Sequence, residues 1–515
     1  MEPVSSAVVS ELVSRSISFL FSRCENRRAA EAHNNLQRLR HLLLRCATVV
    51  EEAERRHVTN RAMLQQLQAL RDETFRGHYV LDAVRLKDHN NNVEKEKEEH
   101  EEKDSAAGRR TFALSMFNAA KRVRYYPGGG GDSSSSSSSA ISRASSSSSR
   151  EELPRVVHSL ESMIGDMREF VVFLTSYPPL LHRRQPYSAH MSVDKCMFGR
   201  HMEWETVMEF LLKPDPHHRL GVLPIVGPAH IGKSTLVDNV CDDERVRGHF
   251  SLILFYNGSN NGIKDETTVA GLRAKCAVKH RNNDEASSGE RLLIVVELLD
   301  EDDVDDETWK KLSDSAETSL PHGSRMIITG RCDNIARLGG TRQQALRLRC
   351  LPVEAYWYFF KMMVFGSDDP EQHPRMASLA LEMAHVMQGS YLFAYVGAIL
   401  LRDNFHARSW FRILSRLRQY LQRNVSLIGE YPDDIKATKD QPRYTWSLLQ
   451  DKPDTYFMLY KLYQRSPAEE KASEITMLDL LVGTPQPRGK HEILFWKSRI
   501  PPYYSYMSTC DICDM

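Results

Sequence analysis

The sequence predicts a multidomain protein: a four-helix bundle at the N-terminus, an α/β domain on a parallel sheet, then a helical subdomain and a mixed C-terminal tail. Three observations carry this. Apolar residues recur at helical spacing through residues 4–87, a polyglycine and polyserine run occupies 128–149, and from 221 short apolar runs alternate with crossovers around a complete phosphate-loop motif. At 515 residues the chain is too long for one core, because single cores stop growing near roughly 250–300 residues. The segments fall at 1–87, 88–150, 151–190, 191–349, 350–430 and 431–515.

In the first segment, Val9, Leu12, Val13, Ile17 and Leu20 make one helical stripe, and Leu36, Leu39, Leu43, Cys46, Ala47 and Val50 a second. Met63, Leu67 and Leu70 make a third, and Phe75, Tyr79 and Ala83 a fourth. Four amphipathic helices close economically as an antiparallel bundle; separate helices docking elsewhere are the alternative. Residues 88–150 read as a disordered low-complexity linker. Glu and Lys dominate 94–104, glycine and serine dominate 128–149, and neither run buries enough apolar surface to offset its ordering entropy. A short helix near Phe112–Val123 interrupts it. Helical spacing resumes with Val156, Leu160, Met163, Met167, Phe170 and Leu174, predicting a connecting helix that Tyr177-Pro-Pro ends.

Strands are predicted at Gly221–Val226, Ser251–Tyr256, Leu292–Val296 and Met326–Thr329. Continuous apolar runs of this length fit a parallel sheet covered on both faces, which puts a phosphate site at the strands' carboxyl edge. The residues Gly227, Pro228, Ala229, His230, Ile231, Gly232, Lys233 and Ser234 spell G-x-x-x-x-G-K-[ST] between a strand-like and a helix-like run. The two glycines let the backbone curl so that successive N–H groups face the phosphates; Lys233 reaches the outer phosphates, Ser234 offers a hydroxyl to Mg²⁺, and Thr235 opens the helix. His230 sits at a variable position and takes a backbone role. The ligand class is therefore a nucleotide with Mg²⁺, the loop reading phosphates and saying little about the base. Beyond residue 350 the pattern is helical to about 430; the last 85 residues have no clear repeat.

Lys plus Arg and Asp plus Glu both number 68, so no net field favours nucleic acid or an anionic membrane. The nine cysteines are scattered and follow no secretory-type leader, which predicts a reducing cytosolic or nuclear compartment. Cys510-Asp-Ile-Cys513 lacks a second Cys/His pair nearby and reads as part of a frayed tail rather than a zinc site. No apolar run approaches the roughly 18–20 residues of a membrane span.

Several segments, in order, resemble the NB-ARC domain of plant intracellular immune receptors. They are Phe198-Gly-Arg200, the phosphate loop, Leu292–Glu297, Gly323-Ser-Arg-Met-Ile-Ile-Thr-Gly-Arg331, Leu348–Phe360 and Gly389-Ser-Tyr-Leu-Phe-Ala394. Residues 4–87 resemble the coiled-coil-type domain that precedes NB-ARC in such receptors. The resemblance implies a P-loop NTPase-type fold, ADP or ATP as the nucleotide, and a nucleotide-dependent switch in defence signalling. It also implies protein partners through residues 4–87, by self-association or with full-length immune receptors, and a cytoplasmic location with membrane or nuclear association on activation. It makes Glu297 the catalytic and Mg²⁺-binding carboxylate, Arg331 the sensor of the γ-phosphate, and Tyr391 the neighbour of the base.

Two departures from the family bear on turnover. Its second motif ends in two aspartates, whereas here Glu297 and Leu298 stand there, which predicts little or no hydrolysis. Tyr391 replaces a proline, and an aromatic there either stacks on the base or fills its pocket. Neither the family's M-H-D motif nor leucine-rich repeats are visible after residue 401. Two other functions stay open beside the nucleotide-dependent switch: a nucleotide-free adaptor or decoy pairing through the bundle, and an active ATPase of the same class.

Overall fold

The computed structural model describes Arg23, Arg27 and residues 30–53, 56, 58, 60–107, 137–178, 197–213, 220–228, 231–257, 268–281, 291–298, 306–331, 333–339, 345–387, 389–428, 444–447, 455–465, 475–482, 488–498 and 505–514. It divides into two compact units, Met1–Arg184 and Gln185–Met515.

In the first unit, helix α1 covers 30–53, α2 Arg61–Ala107, α3 Ser137–Asp166 and α4 Arg168–Thr175. Asn60 starts α2 by accepting from the amides of Ala62 (2.9 Å) and Met63 (3.3 Å), the side-chain cap that a helix N-terminus needs. Leu39, Leu43 and Cys46 of α1, Leu67, Leu70, Val80 and Val84 of α2, and Leu153, Val156 and Leu160 of α3 are all buried. At Gly77 a Cβ would come within 2.8 Å of Leu43 and 3.4 Å of Leu160 and Leu39, so the missing side chain is what lets α2 approach both neighbours. Arg38 pairs with Glu161 (2.5 Å) and Arg76 with Glu152 (Nε to Oε1, 2.9 Å) at the rim.

Three expectations change here. The third and fourth stripes lie on one unbroken helix, because no glycine or proline separates Leu70 from Phe75. The connecting helix predicted within 151–190 is a packed member of the bundle, its Leu153–Leu160 face buried like the others. Helix also enters both ends of the predicted linker, reaching Ala107 through the Glu/Lys run and restarting at Ser137. Glu and Lys are strong helix formers, so the backbone keeps helical geometry past the apolar stripe. The first stripe and the short helix near Phe112–Val123 lie outside the described residues.

In the second unit, α5 (His201–Leu212) precedes β1 (Leu220–Val226) and the phosphate loop. There follow α6 (Lys233–Cys241), α7 (Glu244–His249), β2 (Leu252–Asn257), α8 (Val269–Lys275), β3 (Ala277–Arg281), β4 (Leu292–Glu297), α9 (Asp306–Ser319), β5 (Ser324–Gly330) and β6 (Leu346–Arg347). The sheet runs β3-β2-β4-β5-β1-β6, parallel throughout except for the edge strand β3. Alternate residues feed opposite faces, as the pleat requires. Ile294, Val296, Met326 and Ile328 pack with Leu272 of α8 and Leu312 and Ala316 of α9. Leu293, Val295, Ile225 and Ile327 pack with Val207 and Leu211 of α5 and Leu236, Val237 and Val240 of α6. That two-sided burial is why the four predicted strands read as continuous apolar runs. The short β6 and the largely exposed β3 carried no such signal.

Four helices follow: α10 (Val353–Phe365), α11 (Pro374–Val386), α12 (Tyr391–Asp403) and α13 (Ala407–Ile428). Trp357, Phe359, Phe360 and Trp410 are fully buried among them. The Trp410 indole donates to the carbonyls of Leu401 and Asn404, both at 3.0 Å, and so closes the C-terminus of α12.

The tail forms a second sheet from β7 (Tyr444–Ser447), β8 (Thr455–Arg465), β9 (Gly489–Lys497) and β10 (Ser505–Asp514), with α14 (Met477–Val482) inserted before β9. Its order is β7-β8-β10-β9 and its pairings are antiparallel. The frayed tail expected around Cys510 is instead a central strand. Met507, Cys510 and Ile512 are buried in it. Register shifts at Ser508/Cys510 and at Tyr506/Met507 break the two-residue apolar rhythm that marks a strand in sequence. Leu480 of α14 and Ile493 of β9 are likewise buried. Among the described residues no helix is long and apolar enough to cross a membrane.

Candidate functional site

The phosphate loop leaves the carboxyl end of β1. The Gly227 amide donates to the Gly330 carbonyl (3.2 Å) and Leu348 to Val226 (2.8 Å), which ties the loop's start to the strands on either side. A Cβ on Gly227 would lie 2.5 Å from the Leu348 carbonyl oxygen, so this position has room for hydrogen alone. Ala229 and His230 lie outside the described residues. Gly232 has φ +86°, a left-handed conformation that glycine adopts without strain, and it caps α6. The first helical bond runs from the Leu236 amide to Gly232 (2.9 Å), so the amides of the turn before it have no acceptor within the helix. They add to the positive end of the helix dipole, which is the electrostatics an anion needs.

Strand order decides what faces this turn. Because β5 lies between β1 and β4, its end brings Arg331 between the loop and Glu297. Lys233 folds over the loop, its Nζ donating to the carbonyls of Gly227 (2.8 Å) and Pro228 (2.5 Å). Burial and the charge of Arg331 bring its pKa down to about 8, against the opposing pull of Glu297. Burial raises the Glu297 pKa, while a hydrogen bond from Ser234 and the charge of Lys233 pull it back down. Ser234, Lys233, Arg331 and Glu297 thus form one electrostatic cluster. The next residue, Leu298, is 4% exposed and turns into the core, its amide bonded to Thr329 (2.9 Å).

This arrangement meets a family model at the same residues. Residues 200–370 match the NB-ARC domain model. They are an NB-ARC domain. Over 229 residues the chain is 25% identical to the disease resistance protein RGA2 of Solanum bulbocastanum, covering 42% of this chain and 23% of that protein. Over 422 residues it is 21% identical to RPP13-like protein 1 of Arabidopsis thaliana, covering 79% and 36% respectively. The matches to the curated relatives span between 22% and 36% of those proteins' lengths. Among solved structures, Cdc6p of Pyrobaculum aerophilum is similar at 12% identity and a TM-score of 0.28, over 43% of this chain and 66% of that one.

Three residues outside the sequence-predicted set lie beside it. Arg200, 3% exposed, donates to the carbonyls of Ile231 (3.3 Å) and Arg349 (2.7 Å) and pairs with Glu203 (3.1 Å), pinning the middle of the phosphate loop. Its place in Phe198-Gly-Arg200 was the available signal. Asp238 of α6 is buried; burial first, then the charge of Glu297, pushes its carboxyl well above the usual range. Nothing in sequence distinguishes it from a solvated helix aspartate. Tyr506, on β10, reaches Thr235 with its hydroxyl (3.2 Å), a contact between residues 271 positions apart.

Tyr391 opens α12 beside the loop. Its ring edge would lie 4.0 Å from a Cβ on Gly232, and its hydroxyl donates to the Phe198 carbonyl at 2.7 Å. Phe359 meets it edge-on and the Arg200 guanidinium lies over its face. Among the described residues no group of three or more His, Cys, Asp and Glu is arranged to hold a metal by itself. One hydroxyl and one carboxylate is, however, the donor set that suits an ion sharing its coordination with phosphates and water. The acidic run at 300–305 lies outside the described residues.

Proposed function

We propose that this chain is an ADP- or ATP-binding signalling protein of plant innate immunity, working as a nucleotide-dependent switch or helper with little or no hydrolysis. The observation that carries the reading is the uneven end of β4: Glu297 faces Ser234 and Lys233, while Leu298 is buried. The first arrangement suits binding. The second leaves the strand without the further carboxylate that positions an attacking water, and phosphoryl transfer depends on such positioning.

In this reading the amides of the turn that opens α6, Gly232 through Thr235, cradle the phosphates, Lys233 neutralises the outer ones and Arg331 meets the γ-phosphate when one is bound. Ser234 and Glu297 would hold Mg²⁺, which supplies charge neutralisation across the outer phosphates. The match to disease resistance proteins supports the setting in defence, and residues 4–87 are the proposed protein contact, with itself or with full-length receptors.

Denaturing the purified protein and identifying the released nucleotide tests the reading directly. ADP or ATP is expected from the wild type. Lys233→Ala, which removes the main cation facing the phosphates, should lower affinity at least about tenfold, the scale of a lost charge-assisted bond. Nucleotide retained at wild-type occupancy in that variant would sink the site. Lys233-dependent turnover at rates typical of intact receptors would sink the low-hydrolysis part alone. Deleting residues 1–87 should abolish self-association or receptor pairing; unchanged association moves the interface elsewhere.

A further inference from the structure

The C-terminal sheet carries two aromatic residues that face each other across β9 and β10, one meeting the helical subdomain and the other the nucleotide-binding domain. Tyr506 and Trp496 are register partners, and the β-bulge immediately after them re-aims the strand pair. Trp496 stacks on Tyr395 of α12 at 4.7 Å between centroids and 25° between planes. Tyr506 places its hydroxyl 3.2 Å from that of Thr235, in the first turn of α6. One anchor is apolar and holds the sheet. The other lands on the turn whose amides face the phosphate site.

We infer that Tyr506 is a positioning residue for the nucleotide site: it holds the Thr235 hydroxyl so that its proton points at a bound phosphate, and nucleotide in turn holds the C-terminal sheet in place. This rests on the phosphate-loop reading above. A threonine hydroxyl has one proton and two acceptor lone pairs. When the Tyr506 hydroxyl donates to the Thr235 oxygen, the Thr235 proton is left for another acceptor. A phosphate oxygen in the first turn of α6 is such an acceptor, and a hydrogen bond to a charged group is roughly twice as strong as one between neutral groups. Any such gain is reciprocal: if the docked sheet tightens nucleotide binding, bound nucleotide stabilises the docked sheet by the same factor. The sheet is then a cover latched by the ligand's own charge.

Calorimetric titration of the full chain with ADP tests this through Tyr506→Phe, Thr235→Val and the double variant. Tyr506→Phe keeps the ring and removes the hydroxyl. About tenfold weaker ADP binding is expected in each single variant, with the double variant no weaker than either, because both remove the same hydrogen-bond relay. Hydrogen exchange at residues 505–512 should slow when ADP is added to the wild type and stay unchanged in Lys233→Ala. Wild-type affinity in Tyr506→Phe overturns the relay while leaving the phosphate loop intact. Strictly additive losses also overturn it, since they mark two independent structural defects. A wild type that binds no ADP overturns the site and the relay together.

Discussion

At the scale of single residues, the site is governed by how burial redistributes charge. Lys233 in the free protein loses its proton above about pH 8, whereas a polyphosphate binds its charged form. Affinity for ADP should therefore be flat from roughly pH 7 to 8 and fall above that by up to about tenfold per pH unit, as binding comes to require proton uptake. Lys233→Arg, which stays charged, should remove the fall while weakening the geometry; titration at several pH values checks both. The same shift has an opposite consequence for folding. Between about pH 8 and the ordinary lysine value of 10.5 the unfolded chain holds more protons at this lysine, so its contribution to stability becomes more favourable as pH rises through that window. Gly227 sets a second constraint. Gly227→Ala presses a methyl group against the backbone oxygen of Leu348 and should cost about 1–3 kcal/mol in urea unfolding, with weaker ADP binding alongside. At this scale the motif's place between β1 and α6 was legible, because its spacing is strict and local. Arg200, Asp238 and Tyr506 were not, because their roles depend on neighbours brought in from far along the chain.

At the scale of elements, sequence signal followed burial on both sides. The four strands covered on both faces announced themselves as uninterrupted apolar runs, whereas the edge strand β3, the two-residue β6 and the bulged β10 did not. Among the described residues the helical stripes of the first unit were equally plain, yet the third and fourth lie on one helix and the packing of α3 against them was missed. Periodicity reports which face of a helix is apolar and is silent on where a helix ends without a breaker. The α12–α13 junction illustrates what packing adds. Trp410 is fully buried, packs edge-on to Phe365 and Phe405, and bonds the last carbonyls of α12. Trp410→Ala should destabilise the fold by roughly 3–5 kcal/mol, read from denaturant midpoints, through the cavity and the carbonyls it leaves unpaired.

At the scale of the whole molecule, every residue assigned to the phosphate site lies within 185–515, the second compact unit. A fragment beginning at residue 185 should therefore bind ADP with the affinity of the full chain. A loss of more than about tenfold in a folded fragment, measured by calorimetry, would assign part of the site to the first unit. Strand order carries the rest of the argument at this level. With β5 between β1 and β4, a grip on phosphate and a response to it are built from neighbouring strand ends.

The buried side chain of Leu298 makes this corner hard to rewrite. Its neighbours on that face are apolar, among them Val296, Ile335 and Leu312, and Glu297 already holds the polar position beside it. Placing an aspartate at 298 would sink a second carboxylate into that cluster, at a cost of about 3 kcal/mol or more. A paired-carboxylate centre is thus out of reach of a single substitution here, because the packing depends on hydrocarbon at this corner.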